Sequence, residues 1–275
     1  MPEPANRTAN TPDLSPVRGV LLDIDGVLTV SWRPIPGAVE AVEALRAAGL
    51  RPGFPTSTTS RTRASIGASL REAGFAVDDE QIITGPVAAA HYLAERHPGA
   101  RCLLLTSGDV SADLPGIDLV GPDAEDVDVV LVGGAGPEFD YSALDAAFGH
   151  LDRGARLVTL NKNMYRRTDE GLQADAGAFV AGLEAAAGVT AEVVGKPAVE
   201  FFAAALDVVG TEPEETVMVG DDVDVDVLAG QDAGLTGILV RTGKFRQEAL
   251  ERADGDPNAI LDSVADLPTW LADRI

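Results

Sequence analysis

The sequence predicts an α/β fold in which parallel strands alternate with crossover helices. Short apolar runs typical of buried strands alternate with amphipathic segments of helical period along most of the chain, and this alternation is typical of a parallel sheet. The strand candidates are also too numerous for one compact sheet of ordinary width. With 275 residues, of which 45% are hydrophobic, the chain can bury one large core or two smaller ones.

The elements follow one another in a regular order after a polar tail. Residues 1–16 are rich in Pro, Thr, Asn and Ser without periodicity, so they are predicted to be a flexible tail. Apolar runs predict strands, in chain order, at 17–23, 50–55, 101–106, 127–132, 156–160, 191–195, 216–220 and 235–241. Apolar residues at helical spacing predict helices between them, at 37–48, 60–73, 86–96, 141–151, 176–187 and 198–209.

Two short segments of the sequence predict the boundaries of an inserted domain. The charged stretch Asp78-Asp79-Glu80 precedes a new apolar run, and Gly188 follows three alanines as a helix C-cap would. We therefore expect an inserted domain at 83–187, with a core domain made of 17–82 and 188–275.

The charge balance disfavours polyanionic partners. The net charge is -23, from 44 acidic and 21 basic residues, which disfavours binding to nucleic acid or to an anionic membrane. An anionic substrate would then need a local positive focus, such as a bound metal and a lysine. We expect a cytoplasmic protein, because the N-terminus lacks basic and apolar signal regions and no apolar stretch is long enough to span a bilayer. Cys102 is predicted to be a buried strand residue without chemistry.

Carboxylates follow two of the predicted strands. Asp23 and Asp25 directly follow the first apolar run, and alternation along an extended chain can point both into one pocket. Taken alone, they could equally be turn residues next to Gly26. The second strand, 216–220, is followed by four aspartates at positions 221, 222, 224 and 226. So many like charges repel one another unless a cation offsets them, and Mg²⁺ is the natural candidate. Ligands of α/β sheets bind at these strand ends.

Two further segments complete an ordered set of motifs. Thr56 lies in a hydroxyl cluster after the strand at 50–55, and Lys196, one of three lysines, precedes Pro197. In this order the motifs Asp23-x-Asp25, Thr56, Lys196 and Gly220-Asp221-Asp222-x-x-x-Asp226 resemble those of the haloacid dehalogenase superfamily of aspartate-dependent phosphatases. The resemblance covers residues 17–246 and implies a Rossmann-like parallel-sheet core.

The motif spacing indicates a branch of that superfamily. Only 33 positions separate Asp23 from Thr56, whereas 140 separate Thr56 from Lys196, so a cap domain fits only in the second gap. The chain is therefore similar to the NagD-like branch, which carries an inserted α/β C2 cap. Relatives of this branch often form dimers, so the resemblance also implies a possible homodimer through the cap.

The resemblance implies a role for each catalytic motif. Asp23 would attack phosphorus and form an aspartyl phosphate, which splits the hydrolysis into two displacements. Asp25 would protonate the leaving oxygen and then deprotonate the attacking water. Thr56 would hydrogen-bond a phosphoryl oxygen, and Lys196 would neutralise the charge that develops there.

The same resemblance implies a magnesium site. The carboxylates of Asp23 and Asp221, together with the backbone carbonyl of Asp25, would bind Mg²⁺ through hard oxygen ligands. Asp222 and Asp226 would orient the metal, its waters or the lysine rather than bind the metal directly. Asp224, the remaining aspartate that follows the strand at 216–220, is predicted to be a solvated surface residue.

Two departures from the family pattern bear on the phosphate contacts. Ser57 and Thr58, which follow Thr56, are candidate substrate contacts, but Ser57 stands where the family usually has asparagine. Pro55 occupies a position where a strand residue normally donates a backbone hydrogen bond.

The substrate itself stays open at this point. Asn161, Asn163 and Tyr165 are candidate substrate contacts from the cap, with an ordinary surface loop as the alternative. Trp32 and Arg33 resemble a flap over the site, or are simple loop residues. The expected function is magnesium-dependent hydrolysis of a small phosphorylated metabolite. Hydrolysis of a P–N bond or of pyrophosphate, and a non-catalytic phosphate-binding relative, are the alternatives.

Overall fold

The computed structural model describes residues 16–168, 171–272 and 274, and it describes residues 165–168, 171 and 172 by their backbone alone. Contacts divide the chain into two units. The first holds the described residues up to Gly53, Ala73–Phe75, and those from Val209 onward. The second holds Phe54–Glu72 and Ala76–Val208. The predicted tail falls almost wholly outside the described residues.

The described elements are numbered in chain order. The strands are β1 Gly19–Leu22, β2 Thr29–Val30, β3 Arg33–Pro34, β4 Arg51–Pro55, β5 Ile82–Ile83, β6 Arg101–Leu105, β7 Asp118–Val120, β8 Val129–Val132, β9 Arg156–Thr159, β10 Tyr165–Thr168, β11 Gly171–Ala174, β12 Glu192–Val193, β13 Thr216–Gly220, β14 Thr236–Val240 and β15 Ala259–Leu261. The helices are α1 Ala38–Ala47, α2 Arg63–Glu72, α3 Gly85–Arg96, α4 Tyr141–Asp152, α5 Ala176–Ala187, α6 Val199–Val209, α7 Ala229–Asp232, α8 Gln247–Arg252 and α9 Leu267–Leu271.

A parallel sheet forms the centre of the first unit. Its strands run in the order β15-β14-β13-β1-β4, and every pairing is parallel. All four residues of β1 are buried, as are all five of β13, which explains why both read as continuous apolar runs. The register places Leu22 opposite Val219, so the two strands end together. Side chains that follow these strands therefore meet at one edge of the sheet.

The second unit contains its own parallel sheet, in the order β12-β9-β8-β6-β7. Alternate residues of β8 serve different cores: Val130 and Val132 pack with the helices α4 and α5, whereas Val129 and Leu131 pack in the cluster that includes Leu93 of α3. Helices thus cover both faces of this sheet. The last two residues of β4 also pair in this unit, with β5.

The predicted α/β fold with parallel strands is confirmed, and every predicted strand and helix has a counterpart. Gly188 ends α5 with φ 67, as a C-cap glycine does. Cys102 is buried in β6, as predicted. The boundaries of an inserted C2 cap at 83–187 stay a prediction. None of the described helices has the length and hydropathy needed to cross a membrane.

Two antiparallel hairpins escaped prediction. The strands β2 and β3 are joined by only Ser31 and Trp32, whose φ angles of 51 and 62 are both left-handed. Such two-residue turns normally carry Asn-Gly, so the sequence gives no signal for this one. The strands β10 and β11 form the second hairpin. Each strand has two to four residues, too few for a periodic pattern.

Candidate active site

Three carboxylates of the first unit converge at the sheet edge. Asp23 follows β1 and donates its backbone N–H to the carbonyl of Val219 at 3.0 Å, and Asp221 follows β13. Carboxylate oxygens of Asp23, Asp221 and Asp226 all lie within 4.8 Å of one another. The three residues are 5%, 1% and 2% exposed. The site therefore concentrates negative charge in a place that water hardly reaches.

A π-helical turn, residues 223–228, brings Asp226 into this group. Its carboxylate lies against Gly220, where an added Cβ would come within 2.6 Å of Oδ2. Asp222 begins the turn, and its Oδ1 accepts hydrogen bonds from the amides of Asp224 and Val225, both at 3.1 Å. Asp222 therefore caps this turn, and its role in orienting the metal, its waters or the lysine stays a prediction. Asp226 instead lies directly among the clustered carboxylates, and Asp224 is exposed, as predicted.

Two backbone segments enclose the carboxylate of Asp221. The amide of Lys244 donates to Asp221 Oδ2 at 2.7 Å. Gly26 and Gly243, with φ values of 95 and 61, lie so close that a Cβ at either position would overlap that oxygen. The hydroxyl of Thr242 donates to the carbonyl of Gly26. Residues 242–244 lie outside the four catalytic motifs, so they were not predicted as site residues.

The donor set fits the magnesium ion that the family motifs imply. Three buried carboxylates at this spacing repel one another, and a divalent cation offsets that repulsion. Oxygen donors without nitrogen or sulfur suit hard cations such as Mg²⁺. Within the described part of the chain, no other group of three or more His, Cys, Asp or Glu side chains has this spacing.

Asp25, two residues after Asp23, lies at the start of the β2–β3 hairpin. It forms an isolated bridge with Thr29, and the amide of Gly26 donates to the Thr29 carbonyl at 2.7 Å. Asp25 is half-buried. Its backbone is thus fixed by the hairpin, whose turn residue Trp32 is half-buried and whose Arg33 is exposed.

Thr56 belongs to the second unit, where the end of β4 fixes it. Its amide donates to the carbonyl of Ile83 at 2.9 Å, and its side chain is buried. Pro55 therefore does not end the pairing of β4, because Thr56 supplies the next hydrogen bond. The Thr56 Oγ1 accepts from the amide of Thr58 at 3.2 Å. Ser57, between them, is exposed.

Lys196 of the second unit follows β12 and is only 7% exposed. The strand that leads to it is held by the amide of Val194, which donates to the carbonyl of Thr159 at 3.0 Å. Gly195 lies so close to the carbonyl of Leu160 that it leaves no room for a Cβ. The Nζ atom of Lys196 lies 5.9 Å from the centre of the Phe201 ring.

The candidate substrate contacts of the loop after β9 have different environments. Asn161 is buried, and its Nδ2 donates to Thr59 Oγ1 at 3.4 Å, whereas Asn163 is exposed. The side chain of Tyr165 lies outside the described residues. Thr59 was not predicted as a site residue, yet it joins this loop to the hydroxyl cluster. Its carbonyl also accepts from Thr106 Oγ1 at 3.4 Å. Only its place in the hydroxyl cluster could have suggested it.

Comparisons with known proteins decide the family. A family model described as haloacid dehalogenase-like hydrolase matches residues 20–119, and a HAD-hydrolase-like model matches residues 193–267. The human "Haloacid dehalogenase-like hydrolase domain-containing protein 2" is 38% identical over 247 residues, 90% of this chain and 93% of that protein. The chain belongs to the haloacid dehalogenase-like hydrolase family. The human "Phospholysine phosphohistidine inorganic pyrophosphate phosphatase" is 36% identical over 259 residues, 92% of this chain and 93% of its own length.

Solved structures agree with this assignment. NagD from E. coli K-12 superposes with a TM-score of 0.83 at 29% identity, covering 91% of this chain and 98% of its own. A p-nitrophenyl phosphatase from Archaeoglobus fulgidus superposes with a TM-score of 0.84 at 27% identity, covering 93% and 99%. The predicted haloacid dehalogenase fold, the NagD-like branch and the enzyme class, a phosphatase of haloacid dehalogenase type, are confirmed.

Proposed function

We propose that this member of the family is a magnesium-dependent phosphatase that hydrolyses a small phosphorylated metabolite through an aspartyl-phosphate intermediate. The observation that carries the proposal is the buried group of Asp23, Asp221 and Asp226, with Asp25 two residues after the nucleophile. A bound Mg²⁺ would lower the repulsion between the Asp23 carboxylate and an anionic phosphate.

The residues of the chain supply the remaining steps. Asp23 attacks phosphorus and is later released from the aspartyl phosphate by water. Asp25, fixed by its bridge to Thr29, gives a proton to the leaving oxygen and takes one from the attacking water. Contacts of Thr56 and Lys196 with the phosphoryl group rest on the family motifs and are part of the proposal.

A second candidate has specific support. A relative with 36% identity over 92% of this chain is named as a phosphatase for phospholysine, phosphohistidine and inorganic pyrophosphate. Hydrolysis of a P–N bond or of pyrophosphate by this chain is therefore the alternative. Rates measured side by side on phospholysine, imidodiphosphate, pyrophosphate and sugar phosphates separate the two candidates.

Three further points stay predictions: a cytoplasmic location, a homodimer through the cap, and substrate contacts by Ser57, Thr58, Asn161, Asn163 and Tyr165.

The deciding experiment measures phosphate release from p-nitrophenyl phosphate. We expect release with MgCl₂, none with EDTA, and a loss of at least about 10³-fold on Asp23→Asn, because the nucleophile is removed. Asp207→Asn, on the exposed surface of α6, is the matched control and should keep full activity. Equal rates for Asp23→Asn and the wild type would overturn the assigned nucleophile, and full activity in EDTA would overturn the metal dependence.

A further inference from the structure

We propose that residues 242–244, which we call the clamp segment, hold Asp221 in the orientation needed to bind the cation, with Thr242 as the key positioning residue. The inference rests on the proposed function, because it concerns the metal site of that function. It concerns residues that would orient a metal ligand without binding the metal themselves.

The first contact of the clamp segment fixes one oxygen of Asp221. The Lys244 amide donates to Oδ2 at 2.7 Å, a normal distance for a hydrogen bond to a carboxylate. A carboxylate with one oxygen bound in this way cannot rotate freely, and it presents its second oxygen in a fixed direction. Groups that orient a ligand in this manner affect metal affinity without touching the metal.

The second contact is a close approach of two glycines. An added Cβ at Gly243 would overlap Asp221 Oδ2 and lie 2.5 Å from the Cα of Gly26. An added Cβ at Gly26 would also overlap the Asp221 carboxylate and lie 3.0 Å from the Cα of Gly243. The clamp segment, the turn after Asp23 and the carboxylate therefore pack together without space for a side chain.

Thr242 connects the clamp segment to the turn that carries the other carboxylates. Its Oγ1 donates to the carbonyl of Gly26, one residue after Asp25 and three after Asp23. The Thr242 hydroxyl thus links the turn that follows β1 to the clamp segment, which contacts the Asp221 carboxylate. Because Thr242 is half-buried and lies outside the carboxylate cluster, its removal leaves all three carboxylates in the chain.

The test measures Mg²⁺ binding by isothermal titration calorimetry on metal-free protein. We expect Thr242→Val, which keeps the shape but lacks the hydroxyl, to bind Mg²⁺ about 10–100-fold more weakly than the wild type. Thr242→Ser should restore most of the affinity. Thr269→Val, the same substitution at an exposed position of α9, should leave the affinity unchanged. Thermal unfolding in EDTA checks that each variant folds, and Thr242→Ala replaces Thr242→Val if the latter does not.

The outcomes distinguish this inference from the proposed function. Unchanged Mg²⁺ affinity in Thr242→Val, with normal binding by the wild type, overturns the clamp segment alone. An equal loss in Thr242→Ser and Thr242→Val also overturns it, because the hydroxyl would then not be the cause. If the wild type itself binds no Mg²⁺, the proposed metal dependence fails, and the inference fails with it.

Discussion

Asp224 and Asp226 lie two positions apart in the same π-helical turn, yet these identical residues have different environments. Asp226 is 2% exposed and shares the cluster with Asp23 and Asp221, whereas Asp224 is exposed to solvent. The orientation of the π-helical turn decides the difference, and a pattern of alternating aspartates does not reveal it. The charge of Asp226 therefore acts within the carboxylate cluster, while that of Asp224 interacts mainly with water.

Replacing Asp226 by Asn should raise the unfolding temperature in EDTA and reduce the stabilisation that Mg²⁺ provides. In EDTA the variant should unfold at a higher temperature than the wild type, because one of three mutually repelling buried charges is gone. With excess Mg²⁺ it should gain less stability than the wild type, because its affinity falls by about 10–100-fold. Thermal unfolding with EDTA and with MgCl₂ measures both effects.

The control for this pair of measurements is Asp224→Asn, in the same turn. It removes the same charge from an exposed position, so both unfolding temperatures should stay close to those of the wild type. If the two variants behave alike, the cluster does not include Asp226 in solution.

At the scale of elements, a polar bracket ties the edge strand β12 to its neighbours. The hydroxyl of Tyr92, on α3, donates to Glu192 Oε2, and Arg156 of β9 donates to Glu192 Oε1 at 2.9 Å. Burial, and next the bond to Glu192, raise the pKa of Tyr92 to about 12. The same bond is the main reason that the pKa of Glu192 is lowered. Glu192 lies four residues before Lys196, so the bracket anchors the strand that leads to the lysine.

The bracket should make stability fall at alkaline pH. The unfolded chain loses the Tyr92 proton near its ordinary pKa of 10.0, whereas the folded chain keeps it up to about 12. The stabilisation from this group is therefore complete below pH 10 and disappears as the pH rises to about 12. Urea unfolding between pH 8 and pH 11.5 should show a steeper decline in the wild type than in Tyr92→Phe.

Tyr141→Phe is the matched control for the bracket, since Tyr141 is 82% exposed. Its decline with pH should equal that of the wild type. A Tyr92→Phe variant with the same decline as the wild type would show that the Tyr92–Glu192 bond does not persist in solution.

Most elements could be predicted because their signals are local. The strands β1 and β13 are buried on both faces and appear as unbroken apolar runs. The hairpin turn at Ser31 and Trp32 could not be predicted, because neither residue is typical of left-handed backbone. Pro55 suggested a weakened strand end, yet the next amide continues the pairing with β5. That hydrogen bond joins Thr56 to Ile83, 27 positions further along the chain, and no local pattern reveals it.

The site follows the same rule. Asp23 and Asp221 could be predicted because each directly follows a strand with a strong signal. The contacts of Thr59 with Asn161 and of Thr242 with Gly26 join residues 102 and 216 positions apart. Hydroxyl side chains at such separations have no sequence pattern of their own, so only the folded chain identifies them.

The whole molecule carries a net charge of -23. Several of its described ion pairs join exposed side chains, such as Arg241 with Asp262 at 2.7 Å, and pairs of this kind contribute little to stability. Self-repulsion of the excess acidic residues should therefore destabilise the folded chain at low ionic strength.

Salt should then stabilise the protein by screening. Between about 0.01 and 1 M NaCl the Debye length falls from about 30 to 3 Å, so repulsion between surface carboxylates is largely removed. If screening contributes about 1 kcal/mol, the unfolding temperature should rise by roughly 2–4 °C. Thermal unfolding with EDTA present, so that no divalent cation contributes, measures the effect. A temperature that falls with NaCl would contradict the role of self-repulsion.

The close contact of Gly26 and Gly243 around Asp221 also limits which substitutions can be tolerated at these two positions during evolution. A single nucleotide change that gives either glycine a side chain must move a carboxylate or the opposite backbone. Gly121 and Gly182, which have ordinary backbone angles and open space within 4 Å, can vary without that consequence. Drift among related chains should therefore be slow at the first pair of glycines and fast at the second, although all four are the same amino acid.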